Sequence, residues 1–269
     1  MNKISELQTI INIHQPLFVS IVESWLSDTF LSEGLGLTNY NIFRRDRGAR
    51  GGGVMLAVHC NFVSRQVTGI TLSETLAVDI TIKPNYALRV ITSYNPQGQN
   101  SKQMQTVLND ISDLITLKSD YIILADLNID YHSLYICNTQ QSHILLSNFI
   151  NDHYPITQLV DFGTRGNKTI DYIFCNNANL IKQLTNLPEI GNSDHVTIKG
   201  VINLSTNYNT EKRYVYFKDF KNADYIKLNE VLILLLTNFK IEPLTLLYEN
   251  FKNVLKIFLF LNGFNKRDL

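Results

Sequence analysis

The sequence lacks the features that mark several common protein classes. Its three cysteines, Cys60, Cys137 and Cys175, are odd in number and far apart, which fits neither a disulfide framework nor a zinc-binding pair. No apolar run approaches the roughly 20 residues needed to cross a bilayer. The N-terminus has no basic start followed by an apolar block, so it does not resemble a secretory signal. We therefore expect an intracellular protein with no membrane partner.

An excess of positive charge is also missing. The 24 Lys and Arg residues balance 24 Asp and Glu residues, so net charge does not indicate a nucleic-acid binder. The charges are nevertheless uneven, because basic residues predominate between residues 40 and 110 and acidic residues between 111 and 200. A basic surface beside an acidic pocket suits a metal-dependent enzyme that acts on a polyanion, although solvated surfaces often show the same imbalance.

With 45% hydrophobic residues, the 269-residue chain can fill one large core or two small ones. Helical spacing of apolar residues predicts helices over 4–15, 102–117 and 140–151. Short apolar runs predict strands over 17–22, 40–43, 54–59, 62–66, 75–82, 88–94, 121–124, 170–174 and 196–202. Because the alternation is not a strict βαβ repeat, we expect a mixed sheet or two packed sheets with outer helices. Leucine-rich helical stretches over 225–264 predict a helical C-terminal tail.

Acidic residues stand at the ends of several predicted strands. Glu23, Asp126 and Asp171 each lie at or beside an apolar run, and Asp194 and His195 directly precede another. Strand ends in a layered α/β fold converge on one edge, where ligand sites form. Carboxylate oxygens are the ligands of hard cations such as Mg²⁺. The pattern therefore predicts a cation site, although any one of these acids alone fits a strand-end cap or a turn residue equally well.

Five short segments, in this order, resemble signature motifs of the endonuclease/exonuclease/phosphatase superfamily. They are SIVESWL at 20–26, SYNP at 93–96, LADLN at 124–128, TR at 164–165 with TIDYIF at 169–174, and SDH at 193–195. Two further segments, RRDR at 44–47 and GGGV at 51–54, are similar to the apurinic-type endonuclease domain of non-LTR retrotransposons. The resemblance covers residues 1 to about 203.

The resemblance implies a deoxyribonuclease-like, four-layer αββα sandwich over residues 1–204, with two mixed β-sheets face to face and outer helices. Residues 205–269 then resemble the helical linker that precedes a polymerase domain. The implied activity is a Mg²⁺- or Mn²⁺-dependent DNA endonuclease that nicks target DNA. It also implies a nuclear location and a larger retrotransposon polyprotein that carries a reverse transcriptase.

The resemblance further implies roles for the acidic and amide residues of these motifs. Glu23 would hold the divalent cation, which polarises a phosphoryl oxygen. Asp194 would be a second-metal ligand or an acid behind the ligands. Asp126 would deprotonate the attacking water, and the amide of Asn128 would fix that water or the phosphate in line.

The remaining implied residues bind the phosphate groups of the substrate. Tyr94 would donate its hydroxyl to a phosphate oxygen. His195, charged through its pairing with Asp171, would bind the scissile phosphate. Phosphate contacts from a flexible loop are implied for the arginines of the basic segment, Arg44, Arg45, Arg47 and Arg50.

Two departures from the family pattern leave other interpretations open. Family members begin with a strand that carries an asparagine metal ligand, whereas this sequence starts at the following helix, and Ala125 replaces the usual glycine. We therefore expect a truncated, decayed or co-opted copy with weakened activity. The alternatives are a phosphatase or phosphodiesterase acting on lipid or inositol phosphates, and an impaired remnant or binding module. Trp25, the only tryptophan, is predicted to pack in the core.

Overall fold

A computed structural model describes residues 3–203, except 70, 99, 117–118 and 136–139, and the backbone of 214–218 and 264–268. The chain divides into two compact units, Met1–Thr206 and Asn207–Leu269. The described parts of the second unit are two antiparallel strands, Tyr214–Lys218 and Phe264–Asp268. Of the helical stretches predicted over 225–264, residues 225–263 lie outside the described residues, and Phe264 begins a strand instead.

The first unit contains helices and strands in alternation. Its α-helices are α1 (Ile4–His14), α2 (Ser101–Leu114) and α3 (Gln141–Asp152), and short 3-10 helices cover Ser32–Leu35 and Tyr131–Tyr135. Its strands are β1 (Phe18–Val22), β2 (Tyr40–Arg45), β3 (Val54–His59), β4 (Ser64–Gln66), β5 (Glu74–Lys83), β6 (Tyr86–Tyr94), β7 (Tyr121–Asp126), β8 (Thr157–Gln158), β9 (Asp171–Cys175), β10 (Ile181–Leu187) and β11 (Thr197–Ile202). No helix among the described residues is long and apolar enough to span a bilayer.

These strands form one large sheet and two small ones. Strands β1, β3 and β2 make a three-stranded antiparallel sheet in that order. The six-stranded sheet has the order β4-β5-β6-β7-β9-β8. Its strands β6 and β7 are parallel, and the other pairs are antiparallel. Helix α2 lies between β6 and β7 in sequence, because parallel neighbours need a crossover connection. Strands β10 and β11 pair with each other.

The main core lies between the two larger sheets. Val54, Leu56 and Val58 alternate along β3, are fully buried, and pack in one cluster with Val78 of β5 and Val90 of β6. Successive strand side chains point to opposite faces, so the intervening residues of β3 face the other way. The three-stranded sheet therefore covers one face of the six-stranded sheet.

Helices cover the outer faces of both sheets. Leu7 and Ile11 of α1 join a cluster with Met55 and Ala57, the alternate residues of β3. Side chains of α2 and α3 cluster with the other face of the six-stranded sheet, for example Val107, Leu146 and Phe174. The order helix, sheet, sheet, helix confirms the predicted four-layer sandwich. The larger sheet is mixed as expected, while the described pairs of the three-stranded sheet are all antiparallel.

Most element boundaries follow local sequence signals. Helix α1 is followed by its C-cap Gln15, in a left-handed conformation just before Pro16, and α2 is preceded by its N-cap Asn100, whose side chain accepts from the Gln103 N–H. Strand β10 was not predicted. Its register shifts between Lys182 and Thr185, so the period-two alternation that identifies a strand is interrupted.

Candidate active site

Three neighbouring strands place polar side chains side by side at one edge of the six-stranded sheet. Tyr94 ends β6, Asp126 ends β7 and Asp171 begins β9. Tyr94 is in register with Asp126, and Asp126 is in register with Asp171. Because β6 and β7 are parallel and β9 is antiparallel to them, all three residues fall at the same edge. We call these residues the strand-end row.

Glu23 reaches this row from the other sheet. It directly follows β1, with a left-handed φ of 51°, and its carboxylate accepts a hydrogen bond from the Tyr94 hydroxyl. The Trp25 indole N–H also donates to Glu23, at 3.3 Å. Burial and the hydrogen bond to Glu23 raise the pKa of Tyr94 well above its usual value. Tyr94 therefore keeps its proton and orients the carboxylate of Glu23.

Asp126 is the most deeply buried acid of the row, with 3% of its surface exposed. Its carboxylate accepts from the Asn128 backbone N–H at 3.0 Å. Burial, followed by repulsion from Asp171, raises the pKa of Asp126 from 3.8 to about 7, against the opposing effect of His195. A carboxylate with such a pKa is suited to accept a proton near neutral pH.

Asp171 and His195 form a hydrogen-bonded pair beside Asp126. His195 precedes β11, and its Nδ1 lies 2.8 Å from Oδ2 of Asp171. This hydrogen bond raises the pKa of His195 above 6.5, although partial burial acts in the opposite direction. With Nδ1 engaged by Asp171, the Nε2 side of the ring is left for an anionic group, which a protonated imidazole can bind.

Thr164 connects this pair to the rest of the fold. Its hydroxyl oxygen accepts from the backbone N–H groups of Ile170 and Asp171, each at 3.1 Å. Its carbonyl accepts from the N–H of Val196, next to His195, at 2.9 Å. Thr164 was not assigned a role from the sequence, although it begins one of the five recognised segments.

Hydrogen bonds of Asn128 and Asn95 join the loops that follow β7 and β6. The Asn128 side chain donates to the carbonyl of Asn95 at 2.9 Å, and the Asn95 N–H donates to the carbonyl of Asp126 at 2.8 Å. The side-chain amide of Asn95 also donates to the Leu127 carbonyl at 3.1 Å. Asn95 was not singled out from the sequence. Its position in the SYNP segment, directly after a predicted strand, could have identified it as a site residue.

The donor atoms present fit a divalent cation. Among the described residues, one ligand atom each from Asp126, Asp171 and His195 lie within 4.8 Å of one another, and Glu23 is near enough to raise the pKa of Asp126. Carboxylate oxygens of this kind are what Mg²⁺ prefers. A bound cation would offset the repulsion between these neighbouring carboxylates.

Asp194 is placed at the periphery of this group. Its side chain is 63% exposed and pairs with Arg165 at 2.6 Å. The other oxygen of its carboxylate, Oδ1, lies 3.9 Å from the Nε2 of His195. Asp194 therefore connects Arg165, which received no separate role from the sequence, to the His195 side of the site.

Arg44 and Arg45, two of the four predicted substrate-binding arginines, are bonded to loops on either side of strand β2. Arg44 donates to the carboxylate of Asp46 and to two backbone carbonyls, at 2.7 and 3.0 Å. Arg45 donates to two backbone carbonyls of the segment before β5. Their guanidinium groups therefore bind the end of strand β2 to the neighbouring loops.

The other two arginines flank the aromatic residues near Glu23. Arg47 pairs with Glu74, its Nε lying 2.6 Å from the carboxylate, and its guanidinium lies 5.8 Å from the centre of the Tyr94 ring. Arg50 is exposed, and its guanidinium lies 5.9 Å from the Trp25 ring. Arg44, Arg45 and Arg47 are therefore bonded within the protein, whereas Arg50 faces solvent.

Comparisons with known proteins agree with this architecture. A sequence profile of the endonuclease/exonuclease/phosphatase family matches residues 1–195. No curated protein matches the chain at the level of sequence.

Solved structures share the fold. The endonuclease domain of TRAS1, a telomere-specific non-LTR retrotransposon, has a TM-score of 0.60 and 15% identity over 75% of this chain and 92% of that chain. An AP endonuclease from Archaeoglobus fulgidus has a TM-score of 0.56 and 13% identity over 75% of this chain and 94% of that chain. The human Nocturnin catalytic domain has a TM-score of 0.52 and 12% identity, over 74% and 86% respectively.

Proposed function

The chain belongs to the endonuclease/exonuclease/phosphatase family, and from this premise we propose that it is a DNA endonuclease of the non-LTR retrotransposon type. The observation that carries the proposal is the strand-end row, with Asp126 between Tyr94 and Asp171 and with His195 bonded to Asp171. The likeness to the TRAS1 endonuclease domain supports this choice within the family. Residues 1–204 form the proposed nuclease domain, and 205–269 the proposed helical linker.

A divalent cation, Mg²⁺ or Mn²⁺, would be held by Glu23 and the neighbouring carboxylates. Asp194 would be a ligand of a second ion or an acid behind the ligands. When bound, it supplies positive charge that polarises the phosphoryl oxygen and offsets the charge of the transition state. The Tyr94 hydroxyl fixes the carboxylate of Glu23 for this task. The neighbouring carboxylates of Asp126 and Asp171 support the same preference for a cation at this edge.

The chain's own residues divide the remaining work. Asp126 accepts the proton of the attacking water, because burial raises its pKa to about 7 and so makes it a stronger base than an exposed carboxylate. Asn128, held by its bond to Asn95, orients that water or the phosphate. The bond to Asp171 favours the protonated form of His195, which would bind a non-bridging phosphate oxygen through Nε2.

The substrate is proposed to be DNA, and the setting a larger nuclear polyprotein that carries a reverse transcriptase. Arg50 and Arg165 are the proposed phosphate contacts, since both lie close to the site and neither is buried. The arginines Arg44, Arg45 and Arg47 support this surface through their internal bonds. A phosphatase acting on lipid or inositol phosphates is the competing function.

Supercoiled plasmid incubated with the full chain and Mg²⁺ tests the proposal. We expect conversion to the nicked circle, and loss of that conversion in Asp126→Ala and His195→Ala. Asp113→Ala, which removes an exposed acid of α2, is the matched control and should nick at the rate of the unaltered chain. Nicking that survives both site substitutions contradicts the proposed roles. Turnover of a phosphoinositide without nicking would favour the competing function.

A further inference from the structure

Trp25 is unusually exposed for a tryptophan. Its surface is 58% exposed, whereas aromatic side chains of this size normally contribute most of their area to a core or an interface. Its indole N–H donates to the carboxylate of Glu23 at 3.3 Å. The ring is therefore held beside the proposed cation ligand while most of its surface stays open to solvent.

The backbone around Trp25 is strained and held in place. Glu23 and Trp25 have left-handed φ values of 51° and 55°, a conformation that is unfavourable for a non-glycine residue. Two backbone bonds compensate, from the Ser24 N–H to the Gly53 carbonyl at 3.1 Å and from the Trp25 N–H to the Gly52 carbonyl at 2.9 Å. Strain of this kind, maintained by surrounding contacts, is often found at ligand-binding sites.

A glycine loop, residues 51–53, lies directly against this segment. All three glycines have positive φ, of 86°, 67° and 82°. A Cβ at Gly51 would lie 3.8 Å from the Trp25 ring, and a Cβ at Gly53 would lie 2.8 Å from the Ser24 hydroxyl. The loop therefore supports the indole by close approach of its backbone, which side chains at these positions would disturb.

Arg50 precedes this loop and adds a charge to the exposed ring. Its guanidinium lies 5.9 Å from the centre of the Trp25 ring, within the range of a cation–π contact. The ion pairs found among the described residues do not include Arg50, whereas the nearby Arg47 is paired with Glu74. Arg50 is therefore available for an anionic partner next to an aromatic surface.

We propose that Trp25 and Arg50 form a stacking platform for an unpaired nucleobase that lies beside the scissile phosphodiester. The indole would stack on the base, and Arg50 would contact the adjoining phosphate, a combination that binds single-stranded nucleic acid without strong base preference. The inference rests on the proposed nuclease function, because Glu23 links the platform to the catalytic site. It adds a subsite that selects for unstacked nucleotides near the cut.

Intrinsic fluorescence tests the platform directly, because Trp25 is the only tryptophan of the chain. The full chain carrying Asp126→Asn, which prevents cleavage, is titrated with a single-stranded thymidine oligonucleotide. We expect quenching of the indole emission. An oligomer of the same length made of abasic sites carries the same phosphates and is the matched ligand. It should bind more weakly and leave the emission nearly unchanged.

Substitutions separate stacking from the support that Trp25 gives to the fold. In the same Asp126→Asn chain, Trp25→Leu should weaken binding of a fluorescein-labelled oligonucleotide about 5- to 150-fold, as loss of one aromatic side chain that stacks on a base does. Trp25→Phe keeps an aromatic face and should recover most of the affinity. Tyr154→Ala removes another exposed aromatic, 79% exposed, and should bind like the parent. Rescue by Phe and not by Leu is a result that a packing role would not produce.

Several results would overturn the platform. They are oligonucleotide binding without a change in emission, equal quenching by the abasic oligomer, equal affinity of Trp25→Leu, and absence of binding. Plasmid nicking by the unaltered chain is scored separately. Nicking together with unchanged emission removes the platform and leaves the nuclease proposal intact. Base-dependent quenching without nicking removes the nuclease proposal and leaves a nucleobase-binding surface.

Discussion

The two sheets contribute to the candidate site in different ways. The six-stranded sheet places Tyr94, Asp126 and Asp171 by register alone, since β6 and β7 end, and the antiparallel β9 begins, at the same edge. The three-stranded sheet supplies Glu23 and Trp25 from a segment with left-handed backbone, which is held by the glycine loop. The first half of the site is part of a hydrogen-bonded ladder, whereas the second depends on local strain. The two halves should therefore respond differently to substitution.

The largest expected effect comes from breaking the hydrogen-bonded pair of Asp171 and His195. Asp171→Asn removes the charge that raises the pKa of His195, and general acid–base and charge-stabilising groups of this kind contribute about 10²–10⁴-fold in rate. We expect nicking to slow by that amount. The imidazole pKa, followed by NMR, should fall towards 6.5. An unchanged imidazole pKa would show that Asp171 does not set the charge of His195.

The glycine loop tests the strained half. Gly52→Ala should lower the free energy of unfolding by about 1–3 kcal/mol, because φ is 67° and a Cβ there would displace the Arg47 guanidinium from its ion pair with Glu74. Gly166→Ala is the matched control, since φ is 57° and nothing lies within 4 Å. It should lose only about 1–2 kcal/mol. Urea unfolding measures both, and equal losses would contradict a crowded loop.

The buried carboxylate should cost stability when no metal is present. The folded pKa of Asp126 is about 7, against 3.8 for an ordinary carboxyl, so the folded protein binds the extra proton between these values. Stability therefore falls as pH rises from about 4 to 7. In EDTA above pH 7, Asp126→Asn should be more stable than the unaltered chain by a few kcal/mol at most, and equally stable near pH 4. Thermal unfolding at both pH values, with Asp113→Asn as control, reveals whether that difference exists.

The smallest effect is expected at the periphery of the site. Asp194 is 63% exposed and pairs with Arg165, and exposed ion pairs contribute about 0–1 kcal/mol. Asp194→Asn should therefore change the nicking rate by less than about fivefold. A loss as large as that of Asp171→Asn would show that Asp194 acts within the catalytic group.

Much of the fold could be predicted from apolar runs and their ends. The acids Asp126 and Asp171 could be located because each stands at the limit of a buried strand. Their adjacency could not, since it depends on the register between β7 and β9, which pairs residues far apart in sequence. Strand β10 was missed because its alternation is broken by a register shift.

The expectation that Trp25 packs in the core was wrong. It is 58% exposed, because the chain leaves β1 through left-handed residues at which strand alternation no longer indicates which side chains are buried. The internal bonds of Arg44 and Arg45 also escaped prediction. Their partners are mainly backbone carbonyls, which composition and motifs do not reveal.

The most direct test asks whether Asp126 and His195 act as one unit. Plasmid nicking rates are measured for the unaltered chain, Asp126→Asn, His195→Gln and the double variant under one Mg²⁺ concentration. Residues that serve a single step are strongly non-additive, so the double variant should be about as slow as the slower single variant. Single variants that nick at the unaltered rate, or losses that multiply fully in the double variant, would contradict a shared catalytic site.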